Sequence, residues 1–482
     1  MSAARQPLPV GLVTYSVKPR GGAVHTVALA EALHEAGYPV RVIALGDPAV
    51  GFFRPVKAPV TIIPAPPHLP TLEERVFASV SALAAGLAGL AADYPVLHTQ
   101  DCISARAACQ IRDAARQAPA AAQQAPAAAQ QARAAASVVV RTVHHVDDFT
   151  SPSLIECQRQ AILEPDRILV VSEHWRHLLG REYGTAAEVV HNGVDIARFQ
   201  AADPSTAAGL RQRASAGATD RPLILSVGGI EPRKGSDTLV RALAILKRAG
   251  RRPVLAVVGG HSFQDYRVYR DTVLASLPDL DLRLDDDVVM LGTVPDAELP
   301  AWYKAADVLA FPSTKEGWGL AVLEAMSAGL PVVASDLPVF REYMTDRRDA
   351  LLVGVGDPPA LAKALAEVLD DPDLAAGLRS AALALCERFS WARSAAEHQA
   401  IYASLHSSAP APASDPGDHP PASSSNGTPA SASRPGSTVL PLRTKAWMAS
   451  FTSQMFTFIP ASTRPPASRA ASASWMFGVI PT

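Results

Sequence analysis

The run STKEGWGLAVLEAMSAG, residues 313 to 329, sets Glu316 and Glu324 eight positions apart around Gly317 and Gly319, directly after the apolar segment VLAFP. If VLAFP is a strand and LAVLEAMSAG the helix that follows, the glycines form the turn between them, and Gly319, Leu320 and Ala321 carry the first free amides. A helix N-terminus offers unsatisfied N–H donors and roughly half a positive charge, so such a turn receives a phosphate without help from a metal. On ideal helical geometry Glu316 and Glu324 lie about 80° apart around the axis, so the two acids cannot share one job. One addresses a group beyond the phosphate and the other a hydroxyl alongside it. The plainer account makes Glu316 a cap and Glu324 a solvated helix residue.

A second stretch, LILSVGGIEPRKGSDTLVRAL, ends an apolar run in Gly228 and Gly229 and then places Arg233 and Lys234 before a helical pattern. Two cations beside a strand end neutralise a diphosphate, Arg by its fork and Lys as a point charge. A solvated basic turn is the competing account. The order and spacing of a Walker loop are absent. In VKPRGGAVHTVALAEAL, Gly21 and Gly22 follow the first apolar run and open a helix, which lets a ligand approach the backbone closely or makes only a tight loop.

The elements that must hold these residues alternate. Short β-branched runs (VGLVTYS, PVRVIAL, VTIIP, PVLHTQ, SVVVRTVHH, RILVVS, AEVVHN) are mostly separated by helix-length segments. The pattern restarts after the polar, alanine-rich stretch at 201 to 220 with LILSVGG, VLAVVGG, VVMLGT, VLAFPS, PVVAS and ALLVGV. Such alternation predicts parallel sheets covered on both faces. The expected class is α/β, with two Rossmann-like, doubly wound domains facing across a cleft that collects function at strand ends. The expected boundaries are 1–205 and 206–388, with a helix at 389–406 returning to the first domain. Residues 117–137 are three seven-residue units, QAPAAAQ, QAPAAAQ and QARAAAS, in which proline breaks any continuous helix; a solvent-exposed insertion without chemistry is expected. The Pro-, Ser- and Ala-rich tail at 407–482 is expected to be disordered, and its aromatic patch, WMASFTSQMFTFIP, to be stray hydrophobics or a docking peptide.

Composition narrows the function. With 482 residues, 48% hydrophobic, 19% charged and a net charge of −2, the chain lacks the basic excess of a dedicated nucleic-acid binder. Cys102, Cys109, Cys157 and Cys386 have no C-x-x-C spacing and suit a reducing compartment; with no apolar h-region and no spanning run, a cytoplasmic protein is expected.

At this point the sequence resembles the retaining glycosyltransferases of family four, the GT-B group that includes sucrose-phosphate synthases and bacterial mannosyltransferases. The likeness runs from about Val10 to Leu405. EGWGLAVLE matches the family's E-x-x-x-x-x-x-x-E signature, joined by HNGVD at 191–195, GGIEPRKG, and FSW at 389–391. The resemblance implies that Glu316 contacts the donor sugar's hydroxyls and Glu324 the ribose, and that Lys234 and the amides of Leu320 and Ala321 hold the diphosphate. It also places Gly22, Trp318, Gly319 and Arg233 in the donor site. His144, in VRTVHHVDDF, matches the family histidine beside the donor sugar, with adjacent His145 as the other candidate; a histidine satisfied by Asp147 or Asp148 is the alternative. One position departs from the family, which commonly has Arg where this chain has Gly229, and Arg233 is the residue at hand to supply that charge.

What the resemblance implies is a metal-independent transfer of a hexosyl group from a UDP- or GDP-sugar to an unknown acceptor. No cofactor, no nucleic-acid partner and at most peripheral membrane contact are expected. Two rivals are carried forward. A metal enzyme would use DDD at 285–287, HHVDD at 144–148 or EHWRH at 173–177, although acidic loops of the first kind are common. A non-catalytic nucleotide-sugar sensor would keep the same residues without turnover.

Overall fold

The computed structural model describes residues 6–117, 137–260, 264 and 266–405. The repeat insertion, apart from its first and last residues, and the tail beyond Leu405 lie outside the described residues. Each of the thirteen apolar runs named above is a strand, and the expected two-domain Rossmann-like GT-B architecture is present. The first sheet holds β1 (Val10–Thr14), β2 (Val40–Gly46), β3 (Val60–Pro64), β4 (Val96–Thr99), β5 (Val138–Val143), β6 (Arg167–Val170) and β7 (Glu188–Val189) in the order β3-β2-β1-β4-β5-β6-β7. The second holds β8 (Leu223–Val227), β9 (Val254–Val258), β10 (Val288–Gly292), β11 (Val308–Phe311), β12 (Val332–Ser335) and β13 (Leu351–Val353) in the order β10-β9-β8-β11-β12-β13. All pairings are parallel.

The strands are near-continuous Val, Ile and Leu because both of their faces are covered. Alternation along β1 shows it. Val13 joins Ile43 and Leu97 under the helices Leu72–Ala88 and Cys102–Gln117. Leu12 joins Val42 and Val140 under the helices Gly21–Glu35 and Trp391–Leu405. The last of these helices thus belongs to the first domain's wall, where Tyr402 places its hydroxyl 2.6 Å from His98 Nδ1. It arrives there by a crossing that only glycine allows, because a Cβ at Gly193 would strike the Trp391 backbone.

Strand order reverses between β1 and β4 and again between β8 and β11. Crevices open at such switch points, at the carboxyl ends of the strands. The segments leaving β1, β5, β8 and β11 are the ones that carry Arg20 to Gly22, His144, Arg233 with Lys234, and Glu316 to Gly319. The alanine-rich stretch after residue 200 contains a helix, Pro204–Ala214, capped by Asp203 and packed on the helix Leu299–Ala305 of the second domain.

Candidate functional site

Two loops of the second domain are stitched together. The 3-10 turn Pro232–Lys234 is closed by Gly235 at φ +65°, where any Cβ would collide with the Pro312 carbonyl. That close approach lets the Thr314 amide donate to the Arg233 carbonyl at 2.8 Å. Lys234 Nζ consequently reaches Glu316 Oε1 at 2.7 Å and sits 4.6 Å from the centre of the Phe311 ring. Ser313 Oγ donates to the same oxygen at 2.9 Å. Gly228, at φ +131°, leaves room for the lysine stem, since a Cβ there would lie 2.7 Å from Lys234 Cε.

Arg233 completes the cluster, with Nη1 3.7 Å from Glu316 Oε1 and Nε 3.1 Å from Glu231 Oε2. The arginine common at the neighbouring glycine has no place in this backbone. Gly229 has φ +75°, and a Cβ on it would lie 2.9 Å from the Gly260 carbonyl oxygen. Burial raises the Glu316 carboxyl, but the charges of Lys234 and Arg233 outweigh it and hold the group below the ordinary carboxylate value. Burial also lowers Lys234; Glu316 opposes that shift in part and Arg233 adds to it. Two carboxylates, Glu316 and Glu231, thus stand against buried Lys234 and half-buried Arg233, and Glu316 Oε1 is the oxygen that both cations approach.

The turn beside them is built as the sequence implied. The helix Leu320–Ser327 starts after Gly319 at φ +88°, and a Cβ on that glycine would lie 2.6 Å from Phe340 Cε1. The amides of Gly319, Leu320 and Ala321 find no hydrogen-bond partner among the described residues, the arrangement that favours an anion. Trp318 differs from the expectation. Its indole is 3% exposed, stacked on His191 at 4.6 Å and packed against Tyr343 at 4.8 Å, so it faces the core and only its backbone adjoins the turn. A large ring beside three aromatic partners gains more from burial than from the wet crevice. Glu324 lies one helical turn farther on and accepts from Tyr303 Oη at 2.8 Å. Burial raises its carboxyl above the ordinary value, against the opposing effects of Tyr303 and Arg198.

The first domain brings His144 and Gly22 together, the glycine's Cβ position falling 3.8 Å from His144 Cδ2. His144 Nε2 meets Gln100 Oε1 at 3.1 Å, and burial pushes its pKa down to about 3. The imidazole is therefore neutral near pH 7. His145 pairs with Asp147 at 3.4 Å instead. Gly317 presses on the His144 carbonyl, where a Cβ would collide, so the histidine's backbone touches the phosphate turn's own loop. Sequence reasoning missed three supports. Asp101 accepts the Tyr15 and Ser104 amides at 2.9 and 2.7 Å and braces the segment after β1. Asn192 Oδ1 holds His25 Nδ1 at 2.9 Å. Trp175 Nε1 donates to the Glu316 carbonyl at 3.1 Å. Only Asn192, inside the HNGVD motif, carried a signal.

The clusters that suggested a metal are otherwise engaged. Asp286 and Asp287 pair with Arg221 at 2.5 and 3.3 Å, and Asp148 with Lys315 at 2.8 Å. Asp147 accepts Gln264 Nε2 at 2.8 Å, while EHWRH opens the helix Glu173–Tyr183. Among the described residues no group of three His, Cys, Asp or Glu is arranged to hold an ion.

Comparison with known proteins matches residues 19–198 to the family model described as Glycosyltransferase Family 4 and residues 211–384 to that described as Glycosyl transferases group 1. D-inositol 3-phosphate glycosyltransferase of Streptomyces scabiei is 34% identical over 270 residues, which are 54% of this chain and 59% of that protein. The GDP-mannose-dependent alpha-(1-6)-phosphatidylinositol monomannoside mannosyltransferase of Mycolicibacterium smegmatis is 34% identical over 224 residues, 45% of this chain and 56% of that protein. The matched stretches span little more than half the length of these relatives. Among solved structures, sucrose-phosphate synthase from Thermosynechococcus elongatus shares the fold at TM-score 0.66 and 24% identity, covering 84% of this chain and 100% of that one. HepE from Anabaena, in complex with UDP and glucose, does so at TM-score 0.65 and 20% identity, covering 82% and 100%.

Proposed function

The chain belongs to the group 1 glycosyl transferases, and on that premise we propose that it moves a hexosyl group from a nucleoside diphosphate sugar to an acceptor, with retention and without metal or cofactor. The observation that carries this reading is the 2.7 Å contact of Lys234 with Glu316 beside the open amides of Leu320 and Ala321. The second domain takes the donor and the first the acceptor. Glu324 receives the ribose hydroxyls, Lys234, Arg233 and the amides receive the diphosphate, and Glu316 orients the sugar. Relatives support a nucleotide sugar as donor: the Mycolicibacterium protein is named for GDP-mannose, and the Anabaena structure contains UDP.

Glycosyl transfer passes through an oxocarbenium-like state in which the sugar gains positive charge and the departing phosphate negative charge. Lys234, Arg233 and the helix amides stabilise that leaving group electrostatically. The acceptor hydroxyl enters on the leaving-group face, its oxygen forming the new bond to the anomeric carbon as the bond to phosphate breaks, and its proton passes to a phosphate oxygen. Neutral His144, beside Gly22, lines the sugar's side of the cleft. Membrane contact, where the acceptor is a lipid, is peripheral; among the described residues no helix is long and apolar enough to cross a bilayer.

A thermal-shift panel of UDP-, GDP- and ADP-sugars, with and without chelator, tests the reading. A ligand that binds only the folded state raises the melting midpoint by mass action. One nucleotide sugar should do so in chelator and lose the effect in Lys234→Ala. No response to any donor, or strict dependence on a divalent ion, would overturn it. Binding without hydrolysis or transfer would favour the sensor.

A further inference from the structure

We propose that Cys102 and Cys157 form a peroxide-sensitive modification site, which closes as a reversible disulfide and tightens the loop that carries His144. The two residues sit 55 positions apart, on the helices Cys102–Gln117 and Pro152–Leu163, yet their sulfurs lie 3.6 Å from each other as free thiols. No C-x-x-C spacing announces this pair. It arises where the two helices pack on one face of the first sheet.

Thiol reactivity follows the thiolate, which nearby cations stabilise and apolar burial suppresses. The contact with the Cys102 thiol, joined by the charges of Arg106 and Arg141, holds the Cys157 thiol below its ordinary value against the effect of burial. Arg141, on β5, is 4% exposed, and its Nε and Nη1 find no hydrogen-bond partner among the described residues. Its charge also acts on Asp101, but that carboxylate is already engaged by the Tyr15 and Ser104 amides. A buried guanidinium in this state favours a further anion beside it. The other two cysteines go the opposite way, since burial pushes Cys109 and Cys386 up to about 11. Cys157 is buried and Cys102 partly exposed, so a small oxidant enters from the Cys102 side.

Hydrogen peroxide is an oxidant of that size, and the step balances. The Cys157 thiolate attacks one peroxide oxygen and the O–O bond breaks. Sulfenic acid forms at Cys157, and the departing hydroxide takes up the proton that Cys157 lost. The Cys102 sulfur then attacks the sulfenic sulfur, the S–O bond breaks, and the Cys102 proton leaves with that oxygen. Two thiols are oxidised to one disulfide while one peroxide is reduced to two waters.

Each cysteine neighbours a residue that holds the cleft. Gln100, two positions before Cys102, meets His144 Nε2 through Oε1 at 3.1 Å. Gln158, next to Cys157, bonds both the amide and the carbonyl of Asp147, at 2.8 and 3.0 Å. A disulfide shortens the sulfur separation to about 2.05 Å, so oxidation draws the two helices together and tightens residues 144–147 between both clamps.

The test requires no donor, so its outcome is separable from that of the proposed transfer. The full chain is treated with a small excess of hydrogen peroxide, alkylated and digested for mass spectrometry. Peptides containing Cys102 and Cys157 should appear joined, lighter by two hydrogens than the reduced pair, and should separate in dithiothreitol. Cys109 and Cys386 should remain thiols. Cys102→Ser should leave Cys157 as a sulfenic acid labelled by dimedone, whereas Cys157→Ser should abolish both products. Amide hydrogen exchange at residues 145–147 should slow about tenfold when the unaltered chain is oxidised, because the link opposes local opening, and should not slow in Cys102→Ser. Four intact thiols after treatment, or Cys109 or Cys386 oxidised as readily as the pair, overturns the site. A link that forms while exchange at 145–147 stays the same overturns its hold on the His144 loop.

Discussion

The indole N–H of Trp175, from the first domain, donates to the backbone carbonyl of Glu316, in the second, at 3.1 Å. One residue farther on, Gly317 rests against the His144 carbonyl. The loop that presents a carboxylate to the crevice is thus held from across the cleft at two consecutive residues. Trp175→Phe keeps an aromatic ring at this buried position but deletes the donor, leaving a carbonyl unsatisfied at a cost of about 1–3 kcal/mol beyond the packing lost with the smaller ring. Donor KM should rise roughly tenfold in steady-state assays with the fold intact by circular dichroism. An unchanged KM would mean that the contact does not position Glu316.

Lys234 is a buried lysine whose pKa burial lowers, so the sign of its pH effect follows directly. Its cation is the form that meets a diphosphate, and that form is lost as pH rises through a pKa below the ordinary lysine value. UDP affinity should therefore fall on the alkaline side earlier than an ordinary lysine predicts. Titrations across alkaline pH check it, and Lys234→Arg, which stays charged, should flatten the dependence even where affinity drops.

Tyr303→Phe removes the hydroxyl that donates to Glu324 at 2.8 Å and leaves a buried carboxyl short of a partner. Both groups are raised by burial, so the proton they share is costly to expose. Stability should fall by about 1–3 kcal/mol in urea melts. If Glu324 also receives the ribose, UDP affinity should drop more than that of a free diphosphate. Equal losses for both would remove the ribose from its role.

Much of this was legible because the fold writes itself in period and position. VLAVV and VLAF are apolar at every position, the mark of a short strand covered on both faces, and both are buried throughout. Gly319 and Gly235 announce left-handed turns that only glycine makes without strain. Lys234, Glu316 and Glu324 were legible because each lies within a few residues of such a turn. Trp175 was not, since its partner is a backbone carbonyl 141 positions away and no local pattern records it. Trp318 was misleading for the opposite reason: adjacency in sequence to the phosphate turn says nothing about which way a ring points, and three aromatic neighbours draw it inward.

Four imidazoles form a chain of contacts beneath the cleft. His144 lies 4.6 Å from His25, His25 lies 6.3 Å from His398, and His398 lies 5.4 Å from His98. Burial lowers all four: His144 to about 3, His398 to about 4, and His25 and His98 well below the ordinary 6.5. His98 is satisfied as a neutral ring, between Tyr402 Oη at 2.6 Å and Thr142 Oγ1 at 2.7 Å. Below pH 6.5 the unfolded chain binds protons that the folded chain refuses, so stability is lost as pH falls from there towards the folded values. At pH 5 His144 and His398 each cost about 2 kcal/mol, from 1.36 kcal/mol per pH unit over roughly 1.5 units. Urea midpoints should drop steeply between pH 7.5 and 5. His398→Leu, of similar volume, removes one titrating ring and should make the drop shallower by about one histidine's share; equal slopes in the two proteins would mean that His398 takes up its proton without unfolding.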